Sequence, residues 1–282
     1  MKLPIRQVEK PWGRDTLPAP FPTPDGRRIG EIWFEPPHEL PDLLVKYLFT
    51  SDKLSVQVHP SDAQAIAAGL GRQGKEECWL VIAAEPGATL GIGFHQPLDA
   101  DTMRAAALDG SIEQLMQWYS VRPGDFFYIP AGTVHAIGAG VSLIEVQQNS
   151  DITYRLYDYG RPRALHLDQG IAVARGAVYP HHHRAHVAAH ASATLVDGPP
   201  FRLDQLVGEP PADLRARYQG PFLAIPREGP VRIADSEIPP GGCGVARGWH
   251  DISFAASGVC LLAQSCRDQT DGRPGFARHE RM

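Results

Sequence analysis

Two polar side chains interrupt an otherwise apolar strand pattern in "VQVHPSD", residues 56 to 62. Side chains alternate along a strand, so Gln57 and His59 face one side while the neighbouring valines face the other. An amide and an imidazole are costly to bury unless hydrogen bonds or a metal ion satisfy them. The spacing therefore indicates either a metal site or two hydrogen-bonded core residues.

Two further segments carry polar groups of the same kind. "GKEECWLV" alternates so that Glu77 shares a strand face with Trp79, which places a carboxylate among apolar neighbours. In "GDFFYIPAGTVHAI", Pro130 and Gly132 predict a tight turn between two strands, and His135 begins the returning strand pointing inward. These segments favour the metal site over the core pair.

The elements that must position these groups are mostly short strands. Strand-like runs separated by Pro or Gly recur between residues 28 and 160. Helical periodicity interrupts them twice: over residues 61–71, with Ser61 as N-cap, and over residues 98–121, where Trp118 lies on an apolar face. The pattern predicts a β-barrel with two helical insertions.

Composition limits the function classes. The 282 residues allow about two domains, and 28 glycines with 26 prolines are typical of an all-β protein. A net charge of −5 without a basic stripe argues against nucleic-acid and membrane partners. No apolar secretory stretch is visible at the start, so we expect a cytoplasmic protein. The four cysteines form no C-x-x-C pair and are expected to be buried thiols.

A change in composition predicts a domain boundary. Residues 176–200 are rich in His, Ala and Pro, including an exposed "HHHRAH" segment, and are the expected linker. We therefore predict a metal-binding catalytic domain over residues 1–175. Residues 176–282 are predicted to hold the linker and a smaller structural β domain, with a loosely held tail after about residue 267.

The motifs carry a family resemblance. The run G-x5-P-x-G-x2-H ending at His135 resembles the second cupin motif, and Q-x-H followed by Glu77 is similar to an altered first motif. Gln57 replaces the usual first histidine, Glu77 lies eighteen residues after His59, and Ala139 replaces the usual asparagine. These departures resemble the short bacterial type I mannose-6-phosphate isomerases. The resemblance covers most of residues 5 to 165 and includes the segments "KPWG", "GEIWF", "GKEECW", "PAGTVHAIG" and "QQNSDITYRLYD".

The resemblance implies a cupin (jelly-roll) barrel followed by a smaller, degenerate cupin-like β domain. It also implies four metal ligands: Gln57, His59, Glu77 and His135. Zn²⁺ is the ion that the family implies, although Mn²⁺, Fe²⁺ or Co²⁺ would accept the same donors. The implied reaction is the interconversion of mannose 6-phosphate and fructose 6-phosphate through an enediolate.

Four further residues receive roles from the resemblance. Glu145 is the candidate base, and burial on its apolar strand face is expected to raise its pKa; the alternative is a structural carboxylate paired with an arginine. Arg155 would steady the enediolate or the phosphate. Lys75 resembles a substrate-contacting lysine, with a solvated strand end as the alternative. Ser55, on the face of Gln57, would contact the phosphate.

Other residues are assigned to the scaffold. Arg161 and Arg163 are expected to be solvated loop residues, and Trp12 and Trp33 to be core or pocket wall. Two competing functions stay open: a non-heme iron cupin oxygenase, and a non-catalytic cupin that binds a sugar phosphate. The expected partner is a small sugar phosphate, bound by a monomer or homodimer.

Overall fold

The protein is built mainly from antiparallel strands. The structure is a computed structural model that describes residues 1–22 and 25–266, and the tail predicted after about residue 267 lies outside that part. The first twelve strands are β1 (Ile5–Arg14), β2 (Ile29–Phe34), β3 (Leu43–Phe49), β4 (Val56–Val58), β5 (Glu77–Ala84), β6 (Thr89–Phe94), β7 (Met116–Ser120), β8 (Asp125–Ile129), β9 (His135–Ile137), β10 (Val141–Gln148), β11 (Tyr154–Tyr157) and β12 (Arg184–His186).

These strands form two sheets that pack face to face. The larger sheet has the order β1-β2-β3-β10-β5-β8-β12, and the smaller has the order β11-β4-β9-β6-β7. Trp79 and Leu143 of the larger sheet share a buried apolar cluster with Leu90 and Ile92 of the smaller one. Trp12 is buried in the same cluster, as predicted. Alternating side chains that meet between two sheets explain the period-two pattern of the sequence.

Between the strands, the described residues form the α-helices α1 (Asp62–Ala67), α2 (Ala100–Asp109), α3 (Ile112–Leu115), α4 (Leu167–Val173) and α5 (Ala212–Arg217), and a 3-10 helix (His181–His183). Ser61 caps helix α1, as predicted, and it also forms a capping box with Gln64. The helix predicted over residues 98–121 is wrong at its end. Gly110, in the left-handed conformation, ends α2, and Trp118 lies in β7, paired with Gly91 of β6. The all-β fold class with helical insertions is confirmed.

A second pair of sheets begins inside the segment predicted as linker, at Ala193. Its strands are β13 (Ala193–Asp197), β14 (Phe201–Val207), β15 (Phe222–Glu228), β16 (Val231–Ile233), β17 (Ser236–Ile238), β18 (Gly244–Ala246), β19 (Ile252–Phe254) and β20 (Val259–Ser265). They form a five-stranded sheet, β13-β14-β20-β15-β18, and a three-stranded sheet, β17-β16-β19. Within the segment predicted as linker, β12 pairs with β8 at the edge of the seven-stranded sheet.

The five-stranded C-terminal sheet packs against the outer face of the seven-stranded sheet. Tyr47 and Phe49 of β3 belong to one buried cluster with Leu223, Ile225 and Leu261 of the C-terminal sheet. Burial of apolar area at this contact ties the two units together. Cys78, Cys243 and Cys260 are buried free thiols, as predicted, whereas the prediction is wrong for Cys266, which is only half-buried. None of the helices in the described part of the chain has both the length and the apolar character of a membrane span.

Candidate metal centre

The strands bring the predicted ligands together from separate parts of the chain. Gln57 of β4 pairs directly with His135 of β9, and Glu77 begins β5 in the sheet opposite. Gly132, with a φ of +81°, turns the chain between β8 and β9. Its N–H donates to the carbonyl of His59 at 2.8 Å, so the turn is fixed to the segment that carries two of the predicted ligands. The predicted tight turn is confirmed.

Three of the predicted ligands form a compact buried group. The ligand atoms of His59, Glu77 and His135 all lie within 4.8 Å of one another. His135 Nε2 is 3.3 Å from Glu77 Oε1, and His59 Nε2 is 3.7 Å from Glu77 Oε2. The Nδ1 atoms bond to backbone carbonyls, that of His59 to Ile152 at 2.8 Å and that of His135 to Thr133 at 2.9 Å. This arrangement directs both Nε2 atoms into the group, the orientation in which they could bind a metal ion.

The donor set fits a divalent metal ion. Glu77 Oε1 is buried and has no hydrogen-bond partner, which is costly for a carboxylate oxygen unless a cation satisfies it. Burial lowers the pKa of His59 well below its usual value and that of His135 to about 4. Both imidazoles are therefore neutral near pH 7, the form that binds metals. The group could hold a metal ion.

Gln57 lies beside this group with its amide nitrogen inward. Gln57 Nε2 is 3.2 Å from His135 Nε2, and its Oε1 accepts a hydrogen bond from Ser55 Oγ at 3.2 Å. An amide binds metals through oxygen, so ligation by Gln57 requires a half turn of this amide. The half turn would point the amide nitrogen at Ser55, whose hydroxyl can also accept a hydrogen bond.

Lys75 is part of the site and is not a solvated strand end. Its side chain is buried, and Nζ contacts Glu77 Oε2 and lies 3.1 Å from His59 Nε2. Burial alone would lower the pKa of Lys75, but the carboxylates of Glu77 and Glu145 raise it. Burial raises the pKa of Glu77 to about 7, against the opposing charge of Lys75. Lys75 therefore supplies a permanent positive charge next to the ligands.

Glu145 is buried near the same group, but the expected rise of its pKa is wrong. Burial acts in that direction, yet Lys46 and Lys75 more than offset it and lower the pKa to about 2. Lys46 Nζ is 3.1 Å from Glu145 Oε1, and Trp79 Nε1 donates to Glu145 Oε2 at 3.1 Å. The carboxylate is paired, as the alternative expected, but with a lysine and not an arginine.

The sequence did not reveal the polar cluster beside Glu145. Lys46 lies in β3, and Glu31 with Trp33 lies in β2. Trp33 is half-buried and donates from Nε1 to Glu31 Oε2 at 2.6 Å, which places it in the wall of the site. The sequence does contain a signal for Lys46: in "LLVKYLF" it is a charged residue within an apolar run. In the structure every residue of this strand is buried.

The arginines near β11 differ in what they contact. Arg155 pairs with Gln57 along the strands, and its Nε donates to the Ala164 carbonyl at 3.1 Å. Arg163 binds Asp158 through two nitrogens, each at 2.6 Å. Arg161 also bonds to Asp158, at 3.1 Å. The two neighbours of Arg155 are therefore ion-paired and partly buried, which corrects their prediction as solvated loop residues.

Comparisons with known proteins place this chain near one group of enzymes. No protein-family model matches it. The mannose-6-phosphate isomerase of Streptococcus mutans is 46% identical over 137 residues, 46% of this chain and 43% of that protein. Mannose-6-phosphate isomerase ManA of Bacillus subtilis is 38% identical over 192 residues, 65% of this chain and 60% of that protein. The chain thus spans less than two thirds of the length of these curated relatives.

Solved structures extend the likeness in fold to nearly the whole chain. The mannose 6-phosphate isomerase of Bacillus subtilis superimposes with a TM-score of 0.68 at 22% identity, over 93% of this chain and 98% of that chain. A structure described as a mannosephosphate isomerase from Archaeoglobus fulgidus gives 0.68 at 19% identity, over 94% and 99%. The resemblance inferred from the motifs is confirmed: in sequence this chain is similar to proteins named mannose-6-phosphate isomerase, and it has the cupin-type fold of their solved structures.

Proposed function

We propose that the chain is a metal-dependent aldose–ketose isomerase that interconverts mannose 6-phosphate and fructose 6-phosphate. The observation that carries the proposal is the buried group of His59, Glu77 and His135 with Lys75 and Glu145 beside it. The two curated relatives with 46% and 38% identity to this chain are named mannose-6-phosphate isomerase. A metal ligand set, a buried cation and a buried carboxylate are the parts that proton transfer between adjacent carbons requires.

We propose Zn²⁺ as the resident ion, held by Gln57, His59, Glu77 and His135. Two imidazoles, one carboxylate and one amide oxygen suit it. A bound divalent cation supplies positive charge that polarises sugar oxygens. The hydrogen bonds from the two Nδ1 atoms to backbone carbonyls fix the orientation of the rings before any ion binds.

We propose that Glu145 takes the proton from the substrate carbon. Its lowered pKa keeps the carboxylate ionised, and so able to accept a proton, at physiological pH. The pairing with Lys46 that lowers this pKa also makes Glu145 a weak base. Lys75 stays protonated and donates hydrogen bonds to the sugar oxygens that gain negative charge. These two residues, with Arg155, form the proposed catalytic set.

Arg155 and Ser55 are the proposed contacts to the anionic parts of the substrate. In the described part of the chain no hydrogen bond or ion pair joins the guanidinium of Arg155 to a carboxylate, so its remaining donors suit a phosphate or an enediolate. Ser55 is buried on the strand that carries Gln57 and would add a hydroxyl donor. A positive group of this kind favours an anionic ligand, in a chain whose net charge is −5.

We also propose the division of labour along the chain. Residues 1–175 carry the catalytic site, and residues 176–282 contribute the linker and a structural unit that covers the outer face of the seven-stranded sheet. A phosphorylated sugar is a cytoplasmic metabolite, so we propose that the enzyme acts in the cytoplasm, as a monomer or homodimer. The acidic surface supports neither nucleic acid nor membrane as a partner.

The test is a coupled assay of fructose 6-phosphate formation, run without O₂ and repeated after chelation and reloading with Zn²⁺. We expect turnover without O₂, loss on chelation and recovery on reloading. An absolute need for O₂ would favour the oxygenase instead, and binding of the sugar phosphate without turnover would favour the non-catalytic cupin.

The Glu145→Gln variant tests the proposed base in the same assay. We expect kcat to fall by about 10³-fold with normal metal content, because the proton acceptor is lost while the ligands remain. Glu209→Gln, at an exposed carboxylate, is the matched control. Retained turnover in the Glu145 variant would reject its role.

A further inference from the structure

A row of side chains crosses the inner face of the seven-stranded sheet. Lys46 pairs with Trp33 on one side and with Glu145 on the other, and Glu145 pairs in turn with Trp79. Directly opposed residues on one face of a sheet are the closest neighbours that strands provide. The register of β2, β3, β10 and β5 therefore places these four side chains in contact distance in a fixed order.

Both oxygens of the Glu145 carboxylate are held by members of this row. Lys46 Nζ lies 3.1 Å from Oε1, and Trp79 Nε1 donates to Oε2 at 3.1 Å. The side chains of Lys46 and Glu145 are only 8% and 4% exposed. The ring of Trp79 meets the ring of His135 edge-on, with the centroids 5.3 Å apart. The row thus links Lys46 to the proposed metal ligand His135 through three successive contacts, by way of Glu145 and Trp79.

Lys46 is itself held from the side away from Glu145. Its Nζ lies 4.4 Å from the centroid of the Trp33 ring, a cation–π distance. Trp33 is fixed by its hydrogen bond to Glu31, and Glu31 Oε2 lies 3.5 Å from Lys10 Nζ. A flexible four-carbon side chain is thereby restricted to one position, from which it can restrict Glu145.

Stability does not explain this buried pair. Replacing a buried ion pair by apolar residues is often neutral or stabilising, because desolvation offsets the attraction between the charges. A carboxylate rotates about its last torsion unless both oxygens are bonded. Because Lys46 and Trp79 donate to different oxygens, they fix the plane of the Glu145 carboxylate. A fixed orientation matters more for a proton acceptor than for a structural carboxylate.

We propose that Lys46 is a positioning residue that fixes the orientation of the Glu145 carboxylate and, through it, the indole of Trp79. The inference rests on the proposed function, in which Glu145 takes the substrate proton. Lys46 acts through Glu145 and does not contact the substrate. Nothing in the motif pattern assigns this role, because Lys46 belongs to none of the matched motifs.

The first test observes the contact directly and needs no activity. The indole N–H resonance of Trp79 is assigned by NMR with Trp79→Phe, then followed in Lys46→Met and Lys46→Arg. We expect a clear shift in the methionine variant, where Glu145 is free to rotate, and a position close to the parent in the arginine variant. An unchanged resonance in Lys46→Met would overturn the proposal.

The second test separates turnover from binding. In Lys46→Met we expect kcat to fall by about 10²-fold, with KM within about threefold and the metal content unchanged. Lys46→Arg should restore part of kcat. Lys53→Met, which removes the partly exposed ion pair with Glu113, is the matched control and should keep full activity. A normal kcat in Lys46→Met, or a loss of metal, would overturn the inference.

A double variant keeps the proposal testable if Lys46→Met alone fails to fold. Lys46→Met combined with Glu145→Gln removes both charges, and its residual kcat should equal that of Glu145→Gln alone. A further loss in the double variant would show that Lys46 acts independently of Glu145. If the parent protein shows no isomerisation, the proposed function fails, and the Trp79 resonance alone decides whether Lys46 positions Glu145.

Discussion

The two units of this protein bury polar groups in different ways. Each unit pairs a larger antiparallel sheet with a smaller one, seven strands with five in the first and five with three in the second. In the C-terminal unit the buried carboxylate of Asp204 has both oxygens bonded, by Arg217 and by the hydroxyl of Tyr218. The amide of Gln264 likewise donates to two backbone carbonyls. In this cluster the carboxylate oxygens and the amide nitrogen are thus bonded within the protein, although Arg217 Nε and Asp251 Oδ1 of the same unit have no partner.

The N-terminal unit leaves part of its buried polar capacity unused. Glu77 Oε1 has no hydrogen-bond partner, and the Nε2 atoms of His59 and His135 face the same carboxylate. Among the described residues, the group of three potential metal ligands lies here and not in the C-terminal unit. The comparison teaches that a buried polar atom without a partner points to a binding site when other potential metal ligands converge on it, as they do at Glu77.

The largest expected effect is the loss of a ligand from the N-terminal group. His135→Ala should lose the metal ion and lower kcat by about 10³-fold or more, because only two of the compact three donors remain. Elemental analysis of the purified variant, next to the activity assay, measures both. His181→Ala, at an exposed histidine of the same chain, is the control. Normal metal stoichiometry in His135→Ala would refute the ligand set.

A smaller effect separates the arginine with free donors from the one that is already paired. Arg155→Gln should raise KM for the sugar phosphate by about 10-fold to 10²-fold, the value of a lost charged hydrogen bond. Arg163→Gln should change KM by less than about threefold, since Asp158 already occupies its guanidinium. Steady-state kinetics on both variants measures this. Equal effects would show that Arg155 has no special contact with the substrate.

The pH dependence of metal binding tests the unused carboxylate of the N-terminal unit. Because the pKa of Glu77 is raised to about 7 in the metal-free protein, binding below that pH must displace a proton, whereas above it no proton is lost. We expect the dissociation constant to rise about tenfold per pH unit below pH 7 and to level off above it. Chelator competition between pH 6 and 8 measures it. A flat profile would show that Glu77 is ionised throughout.

The smallest effect on activity is expected in the C-terminal unit. Asp204→Asn leaves Arg217 without its carboxylate and should lower the free energy of unfolding by about 2 kcal/mol, the order of a lost buried charged bond. Turnover and metal content should stay at the parent level. Urea denaturation and the activity assay report the two quantities. A loss of metal would mean that the C-terminal polar cluster is not purely structural.

Local patterns predicted most of the fold and the ligand group. Strand alternation placed Glu77 and His59 on inward faces, and the Pro-Gly turn placed His135, because these signals are contained in short segments. Trp118 was assigned to a helix because apolar spacing does not reveal that Gly110 ends it. The ionisation of Glu145 was predicted with the wrong sign.

The reason for that error is non-local. The shift depends on Lys46, which lies on another strand and meets Glu145 only through the pairing of β3 with β10. Burial alone would have raised the pKa, as the sequence suggested. Cross-strand partners are set by topology, and one sequence contains no direct record of them.

Strand β3 has a consequence for how this protein tolerates change. Its Tyr47 and Phe49 pack against the C-terminal sheet, while Lys46, the residue before Tyr47, reaches the opposite side. A single layer of backbone thus separates this apolar core from the proposed base and its partner Lys46. On the function proposed above, we expect substitutions that loosen the C-terminal packing behind β3 to slow turnover even though they lie far from the ligand group.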